Sequence, residues 1–337
     1  MSVTVLRPGL LTSIQDAGRY GYRKFGMPVG GAMDPYSLRI ANLLVGNDER
    51  EAALEATLIG PALRFEQDAL LAVAGGDLSP TVDGMKLPMW RPVIVKGGSV
   101  LRFGPCKSGC RAYVAVAGGF RIPEVMGSKS TYLRGGIGGF HGRALQEGDV
   151  IGLNAPEQAR SVAPAAFDSL RSTAWFAGWN RMPHHSEHIT VRAMRGDHYA
   201  HFDADSRLRF FDRPFQVEPQ SDRMGCRLSG SSLQLAEPIE VISEAVAVGT
   251  VQAPPDGHPI VLLADSQTIG GYPRIAQIAA ADLPLIAQAK PGTRIRFQEI
   301  SVREAERLYR LKEYEIRIIR AGIRMKRLGQ KFFSMQN

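Results

Sequence analysis

Short apolar segments separated by glycine- and proline-rich turns recur along most of the chain. "VTVLRPGLLTSIQDAG", residues 3–18, has this pattern around Pro8 and Gly9, which predicts two strands joined by a turn. Comparable segments follow as far as "GTRIRFQEIS", residues 292–301. Many short strands with glycine-rich turns are typical of a β-barrel or a β-sandwich. The sequence therefore predicts a mainly β fold with few helices.

One segment in the first half has helical spacing. In "DPYSLRIANLLVGND", residues 34–48, apolar side chains recur every three or four positions. Asp34 is a candidate N-cap, and Pro35 suits the first helical position because its missing N–H group needs no partner there. Gly46 and Asn47 are residues that commonly end a helix. We therefore expect a short helix between Pro35 and Gly46.

A second helix is predicted over residues 301–330. Ser301 is a candidate N-cap with Glu304 at the capping-box position. The apolar residues of this segment fall close to one helical stripe, and they are Leu308, Leu311, Ile316, Ile319 and Ile323. Such a stripe favours burial against the body of the protein or a partner. Basic residues dominate the rest of the segment, and they supply most of the formal net charge of +8.

The chain changes composition near its middle. "NAPEQARSVAPAAFDSLR" is rich in alanine, proline and serine, which predicts a linker near residues 154–172. The predicted domains are an N-terminal β-rich lobe over residues 1–155, a C-terminal β-barrel lobe over 173–300 and a basic C-terminal helix over 301–330.

Composition excludes several classes of protein. Of the 337 residues, 44% are hydrophobic and 22% are charged, which is typical of soluble globular proteins. We find neither a signal-peptide pattern nor an apolar run long enough to span a membrane, and we expect a cytoplasmic location. Cys106, Cys110 and Cys226 do not form a disulfide or zinc pattern, so we expect reduced thiols and no metal site. No nucleic-acid-binding module is recognisable.

Two loop segments carry candidate binding groups. "MGSKSTYLRGGIGGFHGRALQEGD", residues 126–149, contains Ser128, Lys129 and Arg143 among many glycines, but no P-loop frame fits it. Backbone N–H groups in such a segment can bind a carboxylate or phosphoryl oxygen, and a plain connection between strands is the alternative. "EPQSDRMGCRLSG", residues 218–230, places Asp222 beside Arg223, either as a surface ion pair or facing one cleft.

Four motifs in order carry a resemblance to a known family. They are "GMPVGGAMDPYSLRIANLLVGN", "GGIGGFHGRALQEGD", "SDRMGCRLSG" and "LLADSQTIGGYP". Over about residues 3–300 the chain resembles the biotin-dependent carboxyltransferase-like proteins, also called the allophanate hydrolase subunit 2 family. The resemblance implies a fold of two β-barrel-like lobes of the cyclophilin-like kind.

The resemblance also implies an activity and partners. The first expectation is the C subunit of an ATP-dependent 5-oxoprolinase, which opens 5-oxoproline to L-glutamate together with two further subunits, one of the KipI type and one of the LamB/YcsF type. The complex would use ATP, and no ATP-binding site is assigned to this chain. One alternative is carboxyl transfer from carboxybiotin to urea or a related amide, with biotin carried by another protein. Another is a regulatory antagonist of a histidine-kinase inhibitor.

Roles for individual residues follow from the chemistry of a cyclic amide. Carboxylates suit the ring N–H group, a cation suits the substrate carboxylate, and backbone N–H groups can stabilise an oxyanion. The predicted catalytic residues are Asp265, Asp222 and Lys129. The predicted substrate-binding residues are Arg223, Gln252, Gln267, Tyr272, Gly270, Gly271, Ser128 and Arg143. The segment from Asp265 to Tyr272 is expected to be the polar lip of a barrel, where a core strand ends at a substrate cleft.

Overall fold

Short strands dominate the structure, as the apolar segments predict. The computed structural model describes residues 1–155, 169–177 and 187–334, with side chains as far as Arg327. The predicted linker near residues 154–172 therefore lies largely outside the described residues. Within them, the α-helices are Pro35–Val45 (α1), Ala204–Asp212 (α2), Leu283–Gln288 (α3) and Val302–Ser334 (α4).

The strands of the first part of the chain are Ser2–Arg7 (β1), Leu11–Gln15 (β2), Ala53–Thr57 (β3), Ala62–Phe65 (β4), Ala69–Asp77 (β5), Thr81–Val82 (β6), Met85–Lys86 (β7), Val93–Val95 (β8), Val100–Arg102 (β9), Ser108–Val116 (β10), Val150–Gly152 (β11) and Leu170–Ser172 (β12). Those of the second part are His188–Arg195 (β13), Phe215–Val217 (β14), Gly225–Ser229 (β15), Glu244–Ala245 (β16), Thr250–Gln252 (β17), Ile260–Leu262 (β18), Ile269–Gly270 (β19), Arg274–Ile278 (β20) and Arg294–Glu299 (β21).

The chain folds into two compact units whose sequence ranges are not contiguous. The first draws its described residues from 1–17, 35–182 and 311–337, and the second from 18–34 and 183–310. The sequence-based ranges were contiguous and placed residues 18–34 in the first lobe. The structure assigns them to the second unit because the Gly30 N–H donates to the Ala264 carbonyl at 3.1 Å and Met33 joins the apolar core of that unit.

Two six-stranded sheets form the first unit. One has the strand order β11-β1-β4-β9-β6-β7, and the other has the order β12-β8-β5-β10-β3-β2. Val5 and Phe65 from the first sheet belong to the same buried cluster as Leu71 and Val114 from the second. The two sheets therefore share one hydrophobic core, whose burial is the main favourable contribution to folding.

A closed seven-stranded barrel forms the body of the second unit. Its order is β13-β20-β17-β18-β15-β14-β21, closed by the parallel pairing of β21 with β13. Phe210 of α2 stacks on Phe297 of β21, with ring centroids 4.6 Å apart, and Phe215 packs against both. Closure leaves no free strand edge in the barrel. The predicted mainly β fold with a barrel-like lobe and a long C-terminal helix is confirmed.

Two of the predicted helix ends carry the capping residues that the sequence indicates. Gly46 adopts a left-handed conformation with φ of 81° directly after α1. The Asn47 N–H group donates to the Asn42 carbonyl at 3.0 Å, which completes a Schellman cap. At the start of α4, the Ser301 hydroxyl accepts from the Glu304 N–H group at 3.2 Å, as an N-cap does. No helix among the described residues is long and apolar enough to cross a membrane.

Polar contacts join α1 to α4 in the first unit. Arg39 donates to both carboxylate oxygens of Glu313, at 2.5 and 2.9 Å. The Tyr36 hydroxyl donates to Glu315 at 3.2 Å. The hydrogen bond from Arg39 holds the pKa of Glu313 below its ordinary value, so this carboxylate stays ionised. These contacts fix the rotation of α4 about its own axis.

Candidate functional site

An ion pair between Arg223 and Asp265 lies at one end of the barrel. Gly225, the first residue of β15, is the register partner of Leu262, the last residue of β18. The segment before β15 and the segment after β18 therefore emerge together. Arg223 Nε is 2.8 Å from Asp265 Oδ2, and Nη2 is 3.1 Å from Oδ1. Each side chain is only 5% exposed, so the pair is a buried, two-point contact.

A glycine loop closes on this pair. Gly30 and Gly31 have φ of 64° and 83°, a region that L side chains rarely adopt. Arg223 Nη2 donates to the Gly31 carbonyl at 2.6 Å, and a β-carbon added to Gly30 would lie 3.5 Å from Asp265 Oδ1. The loop backbone thus supplies an acceptor for the buried guanidinium.

Three of the four motifs that carry the family resemblance meet at this point. They are "GMPVGG", "SDRMG" and "LLADSQT". The sequence predicted Arg223 and Asp265 as site residues, but it predicted neither their mutual pairing nor the part played by Gly30 and Gly31. The adjacent glycines of the first motif were the available signal, because a glycine pair often marks a close backbone approach.

A buried amide lies in the same unit. Gln252, at the end of β17, is 2% exposed, and its Nε2 atom has no hydrogen-bond partner among the described residues. A β-carbon added to Gly270 would lie 2.5 Å from this atom, so a larger residue at position 270 would displace the amide. Arg274 is the register partner of Gln252 on β20, and its Nε atom is buried without a partner as well. Two neighbouring donors thus lack an acceptor, which is uncommon for buried polar groups.

The rest of the predicted lip is mixed, because Ser266 and Thr268 are buried while Gln267, Gly271 and Tyr272 form an exposed rim. β18 ends at Leu262, and the chain returns through the two-residue strand β19, which pairs with β16. Gln267 and Gly271 are exposed, and the side chain of Tyr272 is 46% exposed. The second unit thus carries a buried ion pair, a buried amide without an acceptor and exposed amide and phenol groups, which are the kinds of polar group that orient a small molecule in a binding site.

Asp222 stabilises a turn. Its Oδ1 atom accepts from the N–H groups of Met224 and Gly225, at 2.7 and 3.0 Å. An aspartate that binds the backbone two and three residues further on is a common turn device. The catalytic role predicted for Asp222 would require the same carboxylate to serve both the turn and a substrate.

The residues predicted from the glycine-rich segment belong to the first unit and are engaged with carboxylates. Asp16 accepts from the hydroxyl groups of Ser128 and Ser130, at 2.8 and 2.5 Å, and from the N–H group of Lys129 at 2.6 Å. Lys129 Nζ is 2.6 Å from Glu51. The groups predicted to bind a ligand anion therefore surround the chain's own carboxylate, and Asp16 was missed because "SIQDAG" resembles an ordinary strand end.

Arg143 forms a two-point ion pair with Asp149. The distances are 2.7 and 2.8 Å. This hydrogen bonding lowers the pKa of Asp149 and raises the pKa of Arg143. Among the residues that the structure describes, no group of three or more His, Cys, Asp and Glu side chains is arranged to hold a metal ion. Neither Cys106 nor Cys110 nor Cys226 forms a disulfide.

Comparison with known proteins identifies the fold's relatives. Residues 25–299 match the carboxyltransferase domain, subdomain A and B. The chain is 37% identical to the C subunit of the Haemophilus influenzae 5-oxoprolinase, over 91% of this chain and 94% of that protein. It is 40% identical to the C subunit of the Escherichia coli 5-oxoprolinase, over 89% of this chain and 92% of that protein.

Larger fungal proteins also match. The urea amidolyase of Saccharomyces cerevisiae is 33% identical over 97% of this chain, which spans 18% of that protein. The crystal structure of the Kluyveromyces lactis urea carboxylase superposes with a TM-score of 0.85 at 34% identity, over 94% of this chain and 29% of that one. The chain therefore belongs to the carboxyltransferase domain family with subdomains A and B.

Proposed function

We propose that the chain is the C subunit of an ATP-dependent 5-oxoprolinase, a complex that opens the lactam ring of 5-oxoproline to give L-glutamate. The observation that carries the proposal is the extent of the match. Two relatives named as the C subunit of 5-oxoprolinase are covered over 94% and 92% of their own length, whereas the urea amidolyase is covered over 18%. The proposed partners are two further subunits, of the KipI type and the LamB/YcsF type, and the proposed location is the cytoplasm.

The second unit supplies the proposed binding groups. Gln252 Nε2 lacks an acceptor, and a lactam oxygen is an acceptor of suitable chemistry. Gln267 and Tyr272 at the exposed rim add polar groups for the substrate carboxylate, and backbone N–H groups near Gly270 and Gly271 can stabilise oxyanion charge.

Asp265 is proposed to position this site. Both of its carboxylate oxygens accept from Arg223, which in turn holds the Gly31 carbonyl. A carboxylate engaged in this way is well suited to fix the loops around a substrate, and its charge keeps the buried guanidinium compensated.

Nucleotide binding is proposed for another subunit. Ser128 and Lys129 point their donors at Asp16 and Glu51, and Arg143 is paired with Asp149. This donor set is already neutralised by carboxylates, so it does not fit a phosphate chain. ATP hydrolysis supplies the free energy that lactam opening needs, and the residues described above bind and orient the amide.

Carboxyl transfer is the second candidate function. The superposition on a urea carboxylase favours it. A ureido or urea carbonyl would use the same buried amide donor, with biotin carried by a different protein. A regulatory role as antagonist of a histidine-kinase inhibitor would involve the same partner, the KipI-type subunit.

The proposal is tested by ATP-dependent glutamate release from 5-oxoproline with the three subunits together and with each omitted in turn. We expect release from the full set and none from this chain alone. Turnover by the purified single chain, or undiminished turnover when this chain is left out, would contradict the proposal. Carboxylation of urea with a biotin-bearing partner, without lactam opening, would favour the second candidate.

Replacing Gln252 with leucine is expected to lower activity of the complex about tenfold while leaving the chain as stable as before. The Nε2 atom of Gln252 makes no hydrogen bond within the described residues, so the substitution breaks no internal hydrogen bond. Gln277→Leu in the same barrel is the matched control, because its amide donates to the Val248 carbonyl and accepts from Thr250, each at 2.9 Å.

The free energy of unfolding of the Gln277→Leu control should fall by about 1–3 kcal/mol, because the Val248 carbonyl and the Thr250 hydroxyl lose their hydrogen-bond partner. Urea unfolding gives the free energy of unfolding, and steady-state kinetics of the reconstituted complex gives kcat and KM. Equal activity of Gln252→Leu and wild type would show that this amide does not touch the substrate.

A further inference from the structure

A second apolar stripe runs along the exposed face of α4. Its members are Leu311, Tyr314, Ile318, Ala321 and Met325, and all are exposed, with Leu311, Tyr314, Ile318 and Met325 between 50% and 73%. Their spacing alternates three, four, three, four, which is the a and d pattern of a coiled-coil helix. We name these five residues the outer seam.

The outer seam differs from the face that α4 buries. Ile316 and Ile323 are 1% and 6% exposed and occupy the f position of the same heptads, on the opposite side of the helix. Arg39 and Tyr36 of α1 bind Glu313 and Glu315 and so fix which face points outward. The seam is thus a stable feature of the folded helix.

The helix follows the part of the chain that matches the family model. The match to the carboxyltransferase domain ends at Glu299, and α4 begins at Val302. The outer seam belongs to the first unit, whereas the binding groups proposed for the barrel belong to the second. An exposed apolar row flanked by charges commonly marks a surface that another protein covers.

The charges beside the seam indicate what covers it. Arg310, Arg317 and Arg324 are exposed and recur every seven residues, in the g position that flanks a coiled-coil seam. The e positions on the other side are Glu315 and Gly322. A partner helix with carboxylates opposite the arginines would neutralise this row.

A second copy of α4 neutralises little of this row. In an antiparallel pair, arginines would face arginines, and like charges in register are destabilising. In a parallel pair, Arg310 would meet Glu315 of the second copy, while Arg317 would meet Gly322, which carries no charge. Self-pairing therefore leaves most of the arginine row unpaired.

A lipid surface fits less well. Helices that lie in a membrane interface present a broad apolar face with large side chains. The outer seam is two positions wide per heptad, and its fourth member is the small residue Ala321. We propose that the outer seam of α4 docks an acidic amphipathic helix of another protein in a two-stranded coiled coil.

The test uses the full chain and a synthetic peptide with isoleucine at a, leucine at d and glutamate at e and g. A matched peptide carries lysine at e and g. Fluorescence anisotropy should show binding of the acidic peptide and none of the lysine peptide. Ile318→Glu should weaken binding roughly ten- to a hundredfold, because burial of that side chain is lost.

Tyr309→Glu is the control for helix folding and added charge. Tyr309 is 50% exposed on the same helix but lies outside the seam, and we expect its variant to bind as wild type does. Combining Arg317→Glu with Arg324→Glu should transfer binding to the lysine peptide. Circular dichroism and urea unfolding confirm that each variant is folded.

Four results would overturn the proposal. They are equal binding of both peptides, equal weakening by Tyr309→Glu and Ile318→Glu, binding to anionic lipid vesicles that Ile318→Glu abolishes, and self-association of the chain that Ile318→Glu abolishes without any peptide binding. The proposal does not depend on the enzymatic one, because none of these measurements includes 5-oxoproline or the other subunits.

Discussion

Asp265→Ala is expected to lower the free energy of unfolding by about 3–5 kcal/mol, because it removes a carboxylate that binds the buried guanidinium of Arg223 at two points. Both side chains are 5% exposed, so water compensates little of that loss. Urea unfolding of the full chain measures the change. The activity of the reconstituted complex should fall as well. The Gly30–Gly31 loop lies beside Asp265 and accepts a hydrogen bond from its partner Arg223, so the variant removes a group that positions the loop.

A double variant separates stability from positioning. Arg223→Met combined with Asp265→Leu replaces the pair with apolar groups, and such replacements of buried pairs are often neutral or stabilising. We expect the double variant to recover most of the lost stability and little of the activity. Full activity in a stable double variant would show that the pair serves folding alone. An Asp265→Ala chain as stable as wild type would contradict the prediction.

The sequence predicted the members of the site better than their contacts. Asp265 was a candidate because polar groups follow an apolar strand, and Gln252 because an amide side chain can both donate to and accept from an amide substrate. The pairing of Arg223 with Asp265 joins residues 42 positions apart, and register across β15 and β18 brings them together. Periodicity within one strand carries no information about such register.

The glycine-rich segment shows a different limit. Its glycines and hydroxyl groups suggested an anion site, with a plain connection between strands as the alternative. An anion is present, but it is the carboxylate of Asp16, 112 residues away from Ser128. A chain can fill its own anion-binding loop, and local composition cannot distinguish an internal carboxylate from a ligand. The same holds for Lys129, which binds Glu51.

The C-terminal helix was predicted in place and length, but its apolar residues were assigned to one stripe. The structure divides them between two faces, with Ile316 and Ile323 buried and Leu311 exposed. An amphipathic helix with two apolar stripes produces overlapping periodicities, and spacing alone cannot say which stripe meets the body. The contacts of Arg39 with Glu313 resolve it.

Truncation after Ile300 is expected to destabilise the first unit and expose apolar surface. The deleted helix carries Ile316 and Ile323, and burial of each such side chain contributes on the order of 1.5–3 kcal/mol. Deletion also removes Glu313, the carboxylate that Arg39 binds at two points. Urea unfolding should show the loss, and light scattering should show aggregation of the truncated chain.

Full-length Ile318→Glu is the matched comparison for this truncation. Ile318 is 55% exposed on the outer seam, so the variant should unfold at the urea concentration of the wild type and stay free of aggregates. A difference between the two proteins would locate the stabilising effect on the inner face of α4, where Ile316 is buried. The prediction would be contradicted by a truncated chain that unfolds at the same urea concentration as the intact one and shows no light scattering. Removal of Ile316 and Ile323 would then have uncovered no apolar surface, and the helix would add nothing to the stability of the first unit.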